Sequence, residues 1–214
     1  MSETDKRAAT LDLSAGRLCL NFANTMDWHR SAQPVEYLTD YQELVAWSEH
    51  ASILTPDAAR RLLGEAARRP AEAEAVLARA VTLREAIYRI FSAVAAGLPP
   101  AAADLALFNA ALPEALAHVQ IAPTGEGFGW QWIGGEERLD RMLWPILWSA
   151  AELLTAGELD RVRECADDNC GWLFMDMSRN RSRRWCSMES CGNRAKARRY
   201  QQRHRAGDEE TDGP

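Results

Sequence analysis

Apolar residues recur at helical spacing through most of the first 156 positions of the chain. The pattern predicts amphipathic helices over 36–54, 55–69, 70–96, 101–111 and 136–156. Thr55 and Pro56 form a helix start signal, because a capping hydroxyl precedes a proline that suits the first helical position. Pro145 lies within the last predicted helix, where a proline predicts either a kink or a late start.

Two segments have the pattern of strands instead. Leu18, Leu20 and Phe22 occupy alternate positions in segment 11–22, which predicts a short strand. Segment 119–133 has a glycine-rich centre between two apolar stretches, which predicts a β-hairpin. The first part of the chain is therefore expected to be helical with a small amount of antiparallel sheet.

The composition changes sharply at Gly157. Beyond it come cysteines, arginines and short extended pieces, and the last residues are polar and rich in acids. The change predicts a helical domain over 11–156, a small metal-stabilised module over 157–205 and a disordered tail over 206–214.

The overall composition is that of a folded globular protein, with 47% hydrophobic and 26% charged residues. No apolar run approaches the roughly 18–20 residues that cross a bilayer, so no membrane partner is expected. The first ten residues lack the apolar core of a signal peptide, which predicts a cytoplasmic protein. Cysteines in that compartment remain free thiols unless a metal binds them as thiolates.

The net charge of −6 is unevenly distributed. Segment 179–205 contains ten Lys/Arg and one acid, Glu189, and so carries +9, whereas the rest of the chain carries −15. One strongly basic segment in an otherwise acidic chain is typical of proteins that bind a polyanion through a single surface.

Four of the five cysteines form two closely spaced pairs separated by fifteen residues. The predicted metal ligands are Cys165, Cys170, Cys186 and Cys191. Two C-x4-C pairs of this kind are typical of a zinc ribbon, in which each pair supplies one edge of a tetrahedron of thiolates. Four sulfur ligands leave zinc no open position, so we expect one structural ion. Two disulfides or four separate thiols would be the alternative, and Cys19 is expected to be a buried free thiol.

A basic helix is predicted after the last cysteine, with Asn193 as its N-cap. The residues predicted to contact DNA are Arg179, Arg181, Arg183, Arg184, Arg194, Lys196, Arg198, Arg199 and Arg203. Lys and Arg displace counterions from phosphates, and Arg also suits bidentate contacts to phosphate or guanine. In the alternative interpretation, the arginines balance the charge of the thiolates and pair with the acidic main domain.

These elements define the expected fold class, which is mainly α within α+β. A helical N-terminal domain with a small β-hairpin precedes a C-terminal four-cysteine zinc ribbon and a basic helix.

A small-molecule effector site is a further hypothesis for the first domain. Its candidate ligand-binding residues are Asn21, Asn24, Thr25 and His29, which concentrate polar groups just after an apolar segment. In the alternative interpretation, Asn24 and Thr25 cap the next element, and His29 lies at the surface or is satisfied within the protein.

The remaining residues predict no catalytic site. The chain has no glycine-rich phosphate loop, and His118 and His204 have no neighbours that suggest a nucleophile or a general base. Trp144 and Trp148 lie one helical turn apart and are expected to belong to the core. We therefore do not expect an enzyme.

Segment 183–196, with the string Cys191-Gly192-Asn193-Arg194, resembles the CGNR zinc-finger family. The first cysteine pair and segment 173–179 are similar to that family's pattern as well. Segment 18–25 resembles the start of the ABATE-type domain that precedes the finger in this family. The resemblance implies a bacterial, stress-linked transcription regulator with a DNA-binding finger and a sensing N-terminal domain.

The resulting prediction is a DNA-binding transcription regulator whose first domain senses a ligand or mediates oligomerisation. A homodimer would raise the affinity of a single small finger through effective concentration. Two other classes remain open. The protein could bind RNA by stacking Trp172, Trp185 or Tyr200 on unpaired bases, or it could dock its basic finger on an acidic protein partner.

Overall fold

The structure, a computed structural model, describes the backbone of residues 7–211 and the side chains of residues 7–202. Its helices are α1 (Leu18–Ala23), α2 (Tyr41–His50), α3 (Pro56–Arg68), α4 (Pro70–Ala95), α5 (Ala102–Leu116), α6 (Leu143–Thr155) and α7 (Asn193–Thr211). Three antiparallel pairs are formed by the strands β1 (Met26–Asp27) and β2 (Val35–Glu36), β3 (Val119–Thr124) and β4 (Gly127–Trp132), and β5 (Val162–Glu164) and β6 (Leu173–Met175). The predicted class, mainly α within α+β, is confirmed.

The long helix α4 lies at the centre and packs against α1, α2, α3 and α5. Its Val76, Ile87 and Phe91 are buried, at the helical spacing on which the prediction rested. Arg84 on the same helix is also completely buried. Its guanidinium forms a bidentate ion pair with Glu36 of β2, at 2.6 and 2.7 Å, so its charge is neutralised inside the fold.

Several predicted elements are confirmed. Helix α3 begins after Thr55, whose hydroxyl accepts a hydrogen bond from the Ala58 amide. The hairpin forms as expected, with Ile121 opposite Trp130. Helix α6 begins only at Leu143, two residues before Pro145, which is one of the two outcomes that the proline predicted.

The strand predicted around Leu18–Phe22 is wrong, because these residues form α1. The alternation of Leu18, Leu20 and Phe22 suggested a strand, but Cys19, Leu20, Phe22 and Ala23 are the residues that are buried. Positions i, i+1, i+3 and i+4 share one face of a helix, so the core selects the helical period.

Three further helix boundaries differ clearly from the prediction. Helix α2 begins five residues later than expected, because Asp40 is extended and its carboxylate accepts a hydrogen bond from the Glu43 amide at 2.8 Å, and it ends at His50, four residues earlier than expected. Helix α5 continues past the predicted end at 111 and through Pro113. The proline removes one backbone hydrogen bond, but Ala115 beyond it is still buried against the core.

The end of the chain also differs from the prediction. Of the predicted disordered tail, residues 206–211 belong to α7, while residues 212–214 lie outside the described residues. The sequence between 193 and 211 contains no proline, and Gly207 alone does not end a helix. Among residues 7–211, no helix is both long and apolar enough to cross a bilayer.

The C-terminal strands are hydrogen-bonded to the first domain. Strand β6 contacts α1, and β5 contacts α4. The side chain of Asn24, directly after α1, donates to the Leu173 carbonyl and accepts from the Leu173 amide, both at 2.9 Å and both buried. The Met175 amide donates to the Ala15 carbonyl at 2.8 Å, and Leu173 and Met175 belong to the main hydrophobic core. Segments 11–156 and 157–205 differ in their sequence patterns, but their residues therefore share one hydrophobic core.

A close approach strengthens this junction. Gly171 has a φ of +74°, and a Cβ there would lie 2.9 Å from the His29 Cβ and 3.0 Å from the Tyr88 hydroxyl oxygen. Glu164 of β5 accepts hydrogen bonds from the hydroxyls of Tyr88 and Ser92 on α4, at 3.2 and 2.6 Å. A glycine is needed at position 171 because both the conformation and the space exclude a side chain.

Replacing Asn24 by Leu tests the junction. The substitution leaves the buried amide and carbonyl of Leu173 without partners, and we expect it to lower the free energy of unfolding by about 2–4 kcal/mol. Urea unfolding followed by circular dichroism measures the change. The exposed Asn109 provides the control, since its change to Leu should alter the stability by less than about 0.5 kcal/mol. Equal effects of the two substitutions on the free energy of unfolding would contradict the stabilising role of Asn24 between the first domain and β6.

Candidate metal centre and nucleic-acid interface

The four predicted ligand cysteines converge on one point. Cys165 follows β5, Cys170 lies shortly before β6, Cys186 lies just before the turn that leads into α7, and Cys191 lies within that turn. All four Sγ atoms lie within 4.8 Å of one another, with Cys170 and Cys186 at 3.6 Å and Cys186 and Cys191 at 3.5 Å. Zinc–sulfur bonds of about 2.3 Å require sulfur–sulfur edges of about 3.8 Å in a tetrahedron. The cluster therefore fits one structural zinc ion.

The surroundings of the cluster also suit a metal. All four cysteines are buried, and the Cys186 amide donates to the Cys165 Sγ at 3.4 Å. Hydrogen bonds from the other thiols hold the pKa of Cys165 below its ordinary value, and those same contacts raise the pKa of Cys170. Four thiols packed this closely cannot all ionise without a cation between them, and zinc supplies that charge.

Cys191 of the second cysteine pair lies in a single wide helical turn, Met188–Gly192. Ser187 caps this turn by accepting a hydrogen bond from the Ser190 amide, so the prediction of Asn193 as the N-cap is wrong. Asn193 has helical backbone angles, and its side chain donates to the Glu189 carbonyl at 3.0 Å. The turn already supplies the helical residues before Asn193, which a prediction from α7 alone could not detect.

Arg194 connects the metal centre to the first domain. Its Nη2 donates to the Cys191 Sγ at 2.9 Å, and its guanidinium lies 4.5 Å from the ring centre of Trp28. Its Nε also lies 3.5 Å from the buried carboxylate of Asp167. Burial lowers the pKa of Arg194, but the nearby charges of Cys191 and Asp167 raise it by more, so the pKa lies above its ordinary value. Arg194 therefore stays protonated, and its guanidinium links the zinc site to the ring of Trp28 through a cation–π contact.

Two more of the predicted DNA contacts have internal roles. Arg198 donates to the Asp167 carboxylate at 3.1 Å. Arg183 lies 4.3 Å from the ring centre of Phe174 and donates to the carbonyls of Trp185 and Cys186. The contact of Arg194 with the Cys191 sulfur agrees with one half of the alternative interpretation, in which arginines balance the charge of the thiolates. The other half, pairing with the acidic main domain, is not seen for Arg183 and Arg198, because their partners here lie within 157–205.

The other predicted contacts are at the surface, apart from Arg203, whose side chain lies outside the described residues. Arg181 is exposed but forms an ion pair with Asp160. Among the side chains of residues 7–202, no carboxylate partner is present for Arg179, Arg184, Lys196 or Arg199, and all four are exposed. Arg184 from the loop and Arg199 from α7 line one cleft of about 180 Å³. The fold thus brings the two basic segments together at this cleft.

Three of the four predicted ligand-binding residues form hydrogen bonds within the protein. Asn21 accepts a hydrogen bond from the Ala15 amide, Asn24 holds Leu173, and the Thr25 hydroxyl donates to the Phe22 carbonyl. This pattern favours the structural interpretation of these residues, with Asn24 joining the two parts of the chain rather than capping an element.

His29 is likewise packed inside the protein. Its ring stacks on Tyr88 at 3.8 Å and lies 3.6 Å from the Glu85 carboxylate. Neither ring nitrogen of His29 has a hydrogen-bond partner among the described residues. Burial raises the pKa of Glu85, but the neighbouring His29 ring and the charge of Arg84 outweigh it and lower that pKa to about 2. Glu85 is thus a carboxylate at neutral pH, which lies close to the His29 ring and forms an ion pair with Arg84.

The fifth cysteine lies apart from the cluster, as expected. Cys19 is buried in the main core, and burial raises the pKa of its thiol to about 12. Its amide donates to the Ser149 hydroxyl at 3.2 Å. A thiol in this environment stays protonated and is neither a metal ligand nor a nucleophile.

Removing one zinc ligand tests both the metal and its junction. We expect Cys186→Ser to lose stoichiometric zinc and to lower the melting temperature of the whole protein by roughly 10 °C or more, because the centre shares a core with the first domain. Elemental analysis and scanning calorimetry measure the two effects. Cys19→Ala is the matched control and should keep one zinc per chain. An unchanged main heat peak in Cys186→Ser would indicate that the first domain folds independently of the metal.

Comparison with known families agrees with both parts of the structure. Residues 16–157 match the ABATE family, described as "Putative stress-induced transcription regulator", and residues 161–204 match the CGNR zinc finger. No curated protein matches the chain significantly. The order of the two matches is the order that the sequence resemblance implied. The chain belongs to the ABATE family and carries a C-terminal CGNR zinc finger.

Proposed function

We propose that this protein is a transcription regulator that binds duplex DNA through its zinc-stabilised basic surface. The observation that carries the proposal is the group of exposed cations without carboxylate partners among the described side chains, namely Arg179, Arg184, Lys196 and Arg199. Regulatory and zinc-finger families, and not enzyme families, match the chain. A thiolate zinc site persists where thiols stay reduced, so the proposal places the protein in the cytoplasm.

The contacts within the finger divide by role the eight predicted DNA-binding residues whose side chains the structure describes. Arg183, Arg194 and Arg198 hold the metal centre together, and their donors are already directed to sulfur, carbonyls and Asp167. The four exposed cations are available to phosphates, and Arg181 can exchange its exposed partner Asp160 for a phosphate at little cost. DNA affinity therefore depends on the exposed group, whereas zinc-site stability depends on the internal group.

Electrostatics orient the whole molecule. The chain outside 179–205 carries −15, and that charge repels a polyanion while the finger attracts it. The same asymmetry makes binding depend steeply on salt, since each phosphate neutralised by a cation releases a counterion.

Duplex DNA is favoured over single-stranded RNA by the packing of the aromatic residues. Trp172 and Trp185 are only partly exposed and pack against the cysteine cluster, so their faces are not both open for stacking. Tyr200 is more exposed, at 66%. One exposed ring beside several cations fits phosphate contact better than the stacking platforms that single strands require.

A salt titration of duplex binding tests the proposal. We expect the triple variant Arg184→Ala, Lys196→Ala and Arg199→Ala to bind at least about tenfold more weakly at moderate salt. Its slope of log K against log salt should be smaller by up to about 3, because three phosphate contacts are lost. Fluorescence anisotropy of the zinc-loaded full-length protein gives both values.

The matched control removes three exposed cations from α3, Arg60, Arg61 and Arg68. It changes the net charge equally and should leave the slope unchanged. Failure of the wild type to bind duplex at low salt would contradict the proposal. Tighter binding of single-stranded RNA, or of an acidic protein partner, would then favour one of the other two classes.

We also propose that the hairpin makes the protein a homodimer. One face of β3 and β4 exposes Ile121, Phe128 and Trp130, at 62%, 80% and 57%. Ile121 and Trp130 are directly paired, and Phe128 lies two residues from Trp130 on the same face. Large side chains contribute about 150–250 Å² each when fully buried, and about two thirds of each of these three is still exposed. Two copies of this face can therefore bury roughly 600–1,000 Å² together, and the upper end of that range reaches the roughly 1,000 Å² of the smallest specific interfaces.

The double change Phe128→Ser and Trp130→Ser tests the dimer. We expect the wild type to sediment as a dimer at micromolar concentration and the variant as a monomer, because most of the apolar interface area is removed. Analytical ultracentrifugation measures the masses. The variant Leu98→Ser, which removes an exposed apolar residue outside the hairpin, should remain dimeric. A monomeric wild type would exclude the dimer without affecting the DNA proposal.

A further inference from the structure

A cavity of about 540 Å³ lies between α4, α5 and α6, within the first domain. Its walls are largely apolar and include Leu83 of α4, Leu107 of α5, and Leu143 and Leu147 of α6. The volume is within the range of about 300–1,000 Å³ that small-molecule sites occupy. None of Asn21, Asn24, Thr25 or His29 is among the residues that line it in the described chain. A ligand site here is thus distinct from the one that the sequence suggested.

Trp144 in this cavity carries an unsatisfied polar group. Its side chain is 2% exposed, and one ring face stacks on His118 at 3.8 Å with the planes nearly parallel. The buried indole Nε1 has no hydrogen-bond partner among the described residues. A buried donor without an acceptor costs about 1–3 kcal/mol, and a bound molecule with an acceptor would recover that energy.

The polar rim of the cavity also favours an acceptor. Arg79 and Arg138 share the carboxylate of Asp140, each through Nη2–oxygen distances of 3.1–3.2 Å, and Arg138 also contacts Glu114 at 2.9 Å. Arg79 uses only one of its nitrogens in this pair and is 62% exposed, which leaves N–H donors for a ligand. Arg79, Arg138 and Asp140 also line an adjoining cavity of about 490 Å³, so the rim is open to approach from that side.

We propose that this cavity binds a small carboxylate or similar organic anion with an aromatic or branched apolar body. The body packs among the leucines, and the anionic group accepts hydrogen bonds from Arg79 at the rim. The Trp144 indole donates to an acceptor atom of the ligand. This inference deepens the sensing half of the proposed function, on which its biological meaning rests, but the binding itself requires no DNA.

Helix α4 gives the site a physical connection to the finger. Arg79 and Leu83 line the cavity, while Tyr88 and Ser92 on the same helix hold Glu164 of β5. The distance along the helix from 79 to 92 is about 20 Å at 1.5 Å per residue. A ligand that shifts α4 against α5 therefore moves the element to which the finger is hydrogen-bonded.

Two fluorescent probes with the same body test the site. 1-Anilinonaphthalene-8-sulfonate has an aromatic body and an anionic group, and N-phenyl-1-naphthylamine lacks the anion. We expect the zinc-loaded full-length protein to bind the sulfonate at least about fivefold more tightly. Ala111→Trp fills the cavity and should abolish binding of both probes, whereas Ala106→Trp, on the exposed side of the same helix, should bind both like the wild type.

Arg79→Gln provides a second measurement that does not depend on filling the core. We expect it to weaken the sulfonate about tenfold and to leave the neutral probe within about twofold. The proposal is overturned if Ala111→Trp, with zinc content and circular dichroism unchanged, binds like the wild type, since the probes then bind elsewhere, for example on the exposed hairpin. Equal loss of both probes in Arg79→Gln would overturn the anion preference. DNA binding by Ala111→Trp is expected to persist, so either proposal can fail alone.

Discussion

The tetrahedron of thiolates around one zinc ion is the constraint on which the C-terminal part of this protein depends. Strands β5 and β6 have three residues each, and sheets of that size are not stable alone. The metal brings together two cysteine pairs separated by fifteen residues, and it places the turn Met188–Gly192 against the first pair. The start of α7, and with it the basic surface, is positioned by that turn.

The metal centre is not an independent finger attached by a linker. Asn24 satisfies both backbone groups of Leu173, Gly171 packs against His29 and Tyr88, and Arg194 reaches from the Cys191 sulfur to Trp28. Each contact joins a group of the zinc module to the first domain. A shared core of this kind can transmit a change in either part to the other, which is what a ligand-responsive regulator requires.

The arginines illustrate why a list of basic residues is not yet an interface. All nine predicted DNA contacts lie in one basic segment, and composition alone treats them equally. Burial and partners distinguish them: Arg194 and Arg198 face the buried carboxylate of Asp167, whereas Lys196 and Arg199 on the intervening helical faces are exposed. Helical periodicity allows this division, but the position of Asp167 on another loop decides it.

The sequence by itself determined the features that depend on local chemistry. The cysteine spacing predicted the metal and all four ligands, Thr55-Pro56 predicted the start of α3, and Pro145 predicted a kink or a late start of α6, of which the late start is observed. Tertiary structure decided whatever depends on distant partners. Residues 18–23 are helical because both neighbours Cys19 and Leu20 face the core. Trp144, whose buried indole nitrogen has no partner among the described residues, lines a cavity between three separate helices. A linear pattern records each residue's own chemistry, but burial, pairing and cavities arise only where remote segments meet.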